Sequence, residues 1–194
     1  MAFTGTMRLI AGDCKRFEEI PPVYMKLLEL RDKLRTGQQL LVLAESCTCG
    51  MVASELGQIP GISAVFCGSM VVYRNDSKCR WLGIDSELLE SPSVGPVSET
   101  VTVQLARSVL QRTPEATLAG AVTGHLGPDS PVAMDGVVYF AVVKTDVPGG
   151  PIAIARRIHL SSPAPRNAED SSRRVARQRE AAERLLDFLN ESLS

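Results

Sequence analysis

Five apolar residues in a row, at positions 40–44, constrain the fold of this chain more than any other stretch. No polar residue alternates with them, so a strand built on them must be covered on both faces. Such a strand belongs inside a layered α/β structure, with helices above and below the sheet. The run passes directly into Glu45-Ser46-Cys47-Thr48-Cys49-Gly50. That stretch of small and polar residues suits a turn from strand to helix.

The flanking patterns extend the same theme. Apolar residues at 23, 25, 27, 28, 30 and 34 predict an amphipathic helix that ends near Gly37. A helix is expected over 50–56, a strand over 64–73 and a short helix to Leu82 with Asp76 as its cap. Asp85 would cap a further short turn. A strong helix follows over 98–111, with Val101, Leu105, Val109 and Leu110 inward. Strands are expected over 117–122, 136–143 and 152–160, the last two as an antiparallel hairpin, and a long Arg-rich helix over 167–193. This order predicts a three-layer α/β/α sandwich with a mixed, mainly parallel sheet. Residues 1–22, closed by Pro21-Pro22, read as an arm, and 23–194 as one domain.

Composition narrows the function. A hydrophobic share of 44% supports a packed core, and a formal net charge of −1 argues against wholesale nucleic-acid binding. No apolar run approaches the ~18 residues of a membrane span, and the first residues lack a secretory pattern. Five cysteines, an odd count, fit reduced thiols in a cytoplasmic protein better than a disulfide framework. The expected partner is a small molecule or another protein.

In open α/β sheets, sites gather beyond the carboxyl ends of the strands. Three loops qualify: 45–50, 73–78 and 123–129. Ser46 is a candidate nucleophile, near backbone N–H groups that hold an oxyanion or a phosphate. Alternatively, Ser46 or Thr48 simply caps the helix. Lys78 is the candidate base, since a buried lysine can lose its proton near neutrality; the ordinary alternative is a solvated surface charge. Tyr73 would orient Lys78 or relay a proton, or else pack at a strand end. A Ser46 Oγ to Lys78 Nζ distance of about 3 Å would favour such a dyad. His125 and His159 are weaker candidates for the base. Cys47 and Cys49 form Cys-x-Cys, which lacks zinc spacing, so neither metal nor cofactor is expected. Arg173 and Arg177 share a helix face and could reach a ligand phosphate, or form a solvated face with Glu180 and Glu183.

The ordered segments "AESCTCG", "PGISAVFCGSMVVYRNDSKCRWLGI", "GPVSE", "AGAVTGHLGP" and "GVVYFAV" resemble the CinA C-terminal domain family, which includes the nicotinamide-nucleotide amidohydrolases. The resemblance places Ser46, Tyr73 and Lys78 on that family's proposed nucleophile, tyrosine and lysine. Thr48, Cys49, Gly50, Asn75, Thr123 and Gly124 fall on its other site positions. It implies hydrolysis of nicotinamide mononucleotide to nicotinic acid mononucleotide and ammonia, in a domain that commonly forms homo-oligomers. It further implies a stand-alone form, without the N-terminal domain of larger members. Alternatives are a nucleotide-binding or assembly protein with weak turnover, and an amidase for another small substrate. Cys49 stands where the family pattern has glycine; if that residue needs φ > 0, its side chain costs about 1 kcal/mol. Arg74, His125, Leu126, Asp129 and Ser130 also depart from the pattern, all on loops expected to face the substrate.

Overall fold

The computed structural model describes residues 22–145, 148–167 and 169–193. Residues 1–21, nearly all of the expected arm, lie outside the described residues. The element order is α1 (Pro22–Thr36), β1 (Leu41–Glu45), α2 (Met51–Gly57), β2 (Phe66–Val71), α3 (Asn75–Leu82), α4 (Ser86–Glu90), α5 (Glu99–Gln111), β3 (Leu118–Gly124), β4 (Val137–Lys144), β5 (Ile152–His159) and α6 (Ser171–Ser192). Single 3-10 turns occupy Ile62–Ala64 and Val132–Met134.

The sheet order is β2-β1-β3-β4-β5. β1 pairs in parallel with β2 and β3, β4 runs antiparallel to β3, and β5 antiparallel to β4. Four strands therefore point one way and β4 runs against them, which is the mixed, mainly parallel sheet that the element order implies. All five residues of β1 are buried, as an apolar pentad covered on both faces requires.

Alternate residues of the central strands feed two cores. Leu41 and Leu43 of β1, Leu118 and Val122 of β3, and Val138 and Phe140 of β4 pack with α1, α2 and α6. Val42 and Ala44, Ala119 and Ala121, and Ala141 and Val143 pack with α3, α4 and α5. The result is an α/β/α sandwich. On α6, Ala181, Leu185 and Leu189 repeat every fourth residue, with Ala182 and Leu186 beside them, so one stripe of the long helix is buried.

Capping follows the sequence in two places and departs from it in one. Asp85 accepts the Glu87 N–H, and Ser98 accepts that of Val101. Asp76 does not cap α3. That helix begins one residue earlier, so Asp76 lies inside its first turn and pairs with Arg80 at 2.8 Å, while Ser77 Oγ accepts the Arg74 N–H. Helix α6 starts at Ser171, not near 167, because the Arg166 N–H and guanidinium both bind the Asp170 carboxylate and hold the preceding loop outside the helix. Among the described residues no helix is long and apolar enough to cross a membrane.

Candidate active site

Because β1, β2 and β3 are parallel, the loops that follow them leave the same end of the sheet. Ser46 leads the first loop. It is 7% exposed, and its N–H extends the β1–β3 ladder to Val122 O at 3.1 Å. The chain then turns sharply: the Cys49 N–H reaches Ser46 O at 3.1 Å, and Met51 N–H reaches Thr48 O at 3.1 Å. Two successive left-handed residues make this possible, Cys49 at φ 53° and Gly50 at φ 89°. Cys49 therefore adopts the conformation for which glycine is favoured, with its side chain exposed. Neither Ser46 nor Thr48 caps α2 by side-chain hydrogen bond, because its N-cap residue is Gly50.

The turn is organised by a residue to which the sequence reading gave no role. Glu45, the last residue of β1, is fully buried. Its Oε2 accepts from Thr48 Oγ1 at 2.7 Å, Gly50 N at 3.0 Å and Val52 N at 3.1 Å. Its Oε1 accepts from Ala53 N and Ser69 Oγ, both at 3.0 Å. Thr48 thus turns its hydroxyl inward, and its carbonyl is held by Gln178 Nε2 at 2.8 Å. The N–H groups of Cys47 and Thr48 are left without an oxygen acceptor among the described residues. The one signal for Glu45 in the sequence was a carboxylate at the end of an apolar strand, a place where it must find donors.

Lys78 projects from α3 and is 3% exposed. Burial lowers its pKa below the ordinary lysine range. Its Nζ lies 3.4 Å from Asn75 Oδ1, and among the described residues no hydrogen bond joins it to Ser46. Cys47 is buried with its thiol pushed up to about 12, above all by desolvation, so it remains a neutral thiol. Among the described residues, no group of three or more His, Cys, Asp or Glu side chains gathers into a metal-ligand set.

The third loop is fitted to the first. A Cβ on Gly124 would lie 2.7 Å from Val138 Cγ2 and 3.1 Å from Cys47 Sγ, so only glycine lets β3 pass this close. Thr123 is wholly buried and shares a 2.8 Å hydrogen bond with Thr102 of α5, which ties the end of β3 to that helix.

The arginines of α6 divide unexpectedly. Arg177, 3% exposed, clamps Asp135 through two bonds of 2.8 and 2.9 Å and donates to Ser162 O. Arg173 donates to Ala164 O and lies 3.6 Å from Asp170. The arginine that reaches the site loops is Arg174, which donates to Tyr73 Oη at 2.7 Å and to Gly127 O. It joins the second loop to the third. Helical spacing alone cannot show which of several consecutive arginines faces a loop brought up from another strand.

The sequence profile of the CinA C-terminal domain matches residues 26–190. A CinA-like protein of Chlorobium phaeovibrioides is 44% identical over 108 residues, 53% of this chain and 24% of that protein. The chain spans about a quarter of the length of such curated relatives. Among solved structures, the competence or damage-inducible protein from Enterobacter asburiae shares the fold, with TM-score 0.76 at 24% identity, covering 90% of this chain and 100% of that one. The competence/damage inducible protein CihA from Agrobacterium tumefaciens gives TM-score 0.70 at 29% identity, covering 90% of this chain and 99% of that one. Because that profile covers most of the chain, the chain belongs to the CinA C-terminal domain family.

Proposed function

We propose that the protein hydrolyses the carboxamide of nicotinamide mononucleotide, giving nicotinic acid mononucleotide and ammonia, with Ser46 as nucleophile and Lys78 as base. The observation that carries the mechanism is a buried lysine of lowered pKa, beyond the same sheet end as a serine followed by two N–H groups that meet no oxygen acceptor among the described residues. The choice of substrate rests on the family, which includes nicotinamide-nucleotide amidohydrolases.

In this reading neutral Lys78 takes the Ser46 hydroxyl proton as Oγ attacks the carboxamide carbon. The N–H groups of Cys47 and Thr48 hold the oxyanion, a role in which one donor is worth on the order of 3 kcal/mol. The Lys78 ammonium then protonates the leaving nitrogen, and ammonia departs from an acyl-serine. Water, deprotonated by Lys78, attacks the ester; the acyl–oxygen bond breaks to release the acid, and the Lys78 ammonium returns its proton to Ser46 Oγ. Catalytic hydrogen bonds are commonly long until substrate binds; here Lys78 would swing from Asn75 towards Ser46. The first N–H groups of α2 are taken by Glu45, so they are closed to a phosphate. Arg174, rather than Arg173 or Arg177, is the proposed phosphate ligand, because its guanidinium already reaches the site loops.

Ammonia release from nicotinamide mononucleotide tests this on wild type and Ser46→Ala. The expected result is release by wild type and none by the variant. The rate should rise with pH as Lys78 deprotonates, along a limb below the ordinary lysine range. Equal release by both proteins sinks the serine mechanism. Binding without release by the wild type favours a nucleotide-binding protein instead. Cys49, exposed on the site turn, gives a specific reason to run a panel of other small amides beside it.

A further inference from the structure

We propose that Glu45 is a positioning residue: its carboxyl group fixes the Ser46 turn against the strand that leads to Tyr73 and Lys78. The proposal rests on the reading of Ser46 as nucleophile. Glu45 adjoins that serine, and five donors converge on its two carboxyl oxygens. Three of them are backbone N–H groups of the turn and of the first residues of α2, which a helix start leaves without partners. The fourth is the Thr48 hydroxyl. The fifth, Ser69, lies on β2, and the Glu45 carbonyl also accepts the Val72 N–H at 2.8 Å. One residue therefore ties the nucleophile's turn, the start of α2 and the strand that leads to the helix of the base.

A surface serine would suffice to cap α2. A fully buried carboxyl group is a costlier device, because burial removes its water. It does what a simple cap does not. It accepts the N–H groups of Gly50, Val52 and Ala53 and not those of Cys47 and Thr48, which meet no oxygen acceptor among the described residues. It also holds the turn in which Cys49 keeps its unfavourable positive φ. Only an acceptor without hydrogens meets all five donors at once, which distinguishes glutamate from glutamine here.

The test is Glu45→Gln. Its amide nitrogen should settle at the Oε1 position, where Ser69 can reverse its hydroxyl and only the Ala53 N–H is orphaned; the opposite orientation would orphan both Gly50 and Val52. The expected result is a fall in kcat of about tenfold or more, with KM within about twofold. Amide hydrogen exchange should quicken at Ala53 but not in α5. Ser69→Ala, which removes one donor, should lower kcat about threefold, and Ser69→Thr should restore it. This pair also decides the matter if Glu45→Gln does not fold. Val109→Ala, in the core of α5, serves as a control that loses stability but keeps its kcat. Unchanged kcat in Glu45→Gln, an equal loss in Val109→Ala, or no rescue by Ser69→Thr overturns the proposal. If wild type releases no ammonia, the hydrolase reading fails by itself. Positioning is then judged by exchange at Ala53, and unchanged exchange in Glu45→Gln overturns it.

Discussion

Cys49 shows how one residue can be legible in part. Its departure from glycine was visible in the sequence; its left-handed backbone, φ 53°, was not, because φ depends on the turn that Glu45 and Gly50 build around it. A side chain in that region costs roughly 1 kcal/mol. Cys49→Gly should therefore raise stability by about 1 kcal/mol, or about 2–4 °C in melting temperature for a chain of this size. A thermal melt of the two proteins checks this. An unchanged or lower melting temperature would mean that the cysteine side chain makes compensating contacts. Its neighbours in the turn are buried: Cys47 is a neutral thiol packed at Gly124, and Thr48 turns its hydroxyl to Glu45. The sequence singled out the stretch but could not say which side chains face outward.

Among the elements, strands and helices were legible because their apolar periods are strong, whereas their ends depended on tertiary partners. Helix α6 illustrates both points. Its stripe of Val175, Ala182, Leu185, Leu186 and Leu189 is plain in the sequence; the last four are buried in the structure and Val175 is half-buried. Its close approach to the sheet depends on Gly120 of β3, where an added Cβ would stand 2.9 Å from Leu43 Cδ2 and 3.2 Å from Leu189 Cδ2. Gly120→Ala should cost about 1–2 kcal/mol, since those leucine ends can shift somewhat. Gly124→Ala should cost about 3 kcal/mol, because the branched Val138 and the backbone oxygen of Val137 cannot give way as easily. Urea unfolding of the two variants measures the order, and an equal or reversed ranking would refute the packing argument.

At the scale of the whole molecule, carboxylates bind the loops around α6. Glu180 accepts from the N–H and hydroxyl of Ser161 and from the N–H of Ser162. Partial burial pushes its pKa up, but these donors prevail and hold it at about 2, against an ordinary 4.5. The Arg177 clamp lowers Asp135, and Arg166 lowers Asp170 to about 2. A folded-state pKa below the unfolded one contributes stability that is complete above the unfolded value and disappears as pH falls through the folded one. Stability should thus hold above about pH 4.5 and decline steadily towards pH 2. Glu180→Gln should flatten that decline, which urea unfolding at a series of pH values would reveal. An identical pH dependence in both proteins would show that Glu180 contributes nothing to it.

The sequence by itself determined the layers, the mixed sheet and the three loops at one end of it. Those follow from local pattern: apolar period, turn residues and the order of elements, each readable within a short window. Only the tertiary structure decided that Glu45 orders the Ser46 turn, that Lys78 is buried beside Asn75, and that Arg174 meets Tyr73 while Arg177 is committed to Asp135. The long-range contacts among them join partners from 24 residues apart, for Ser69 and Glu45, to 101, for Tyr73 and Arg174. Hydrogen bonds over such separations leave no periodic trace in a sequence. They are fixed only when the sheet brings its strand ends together.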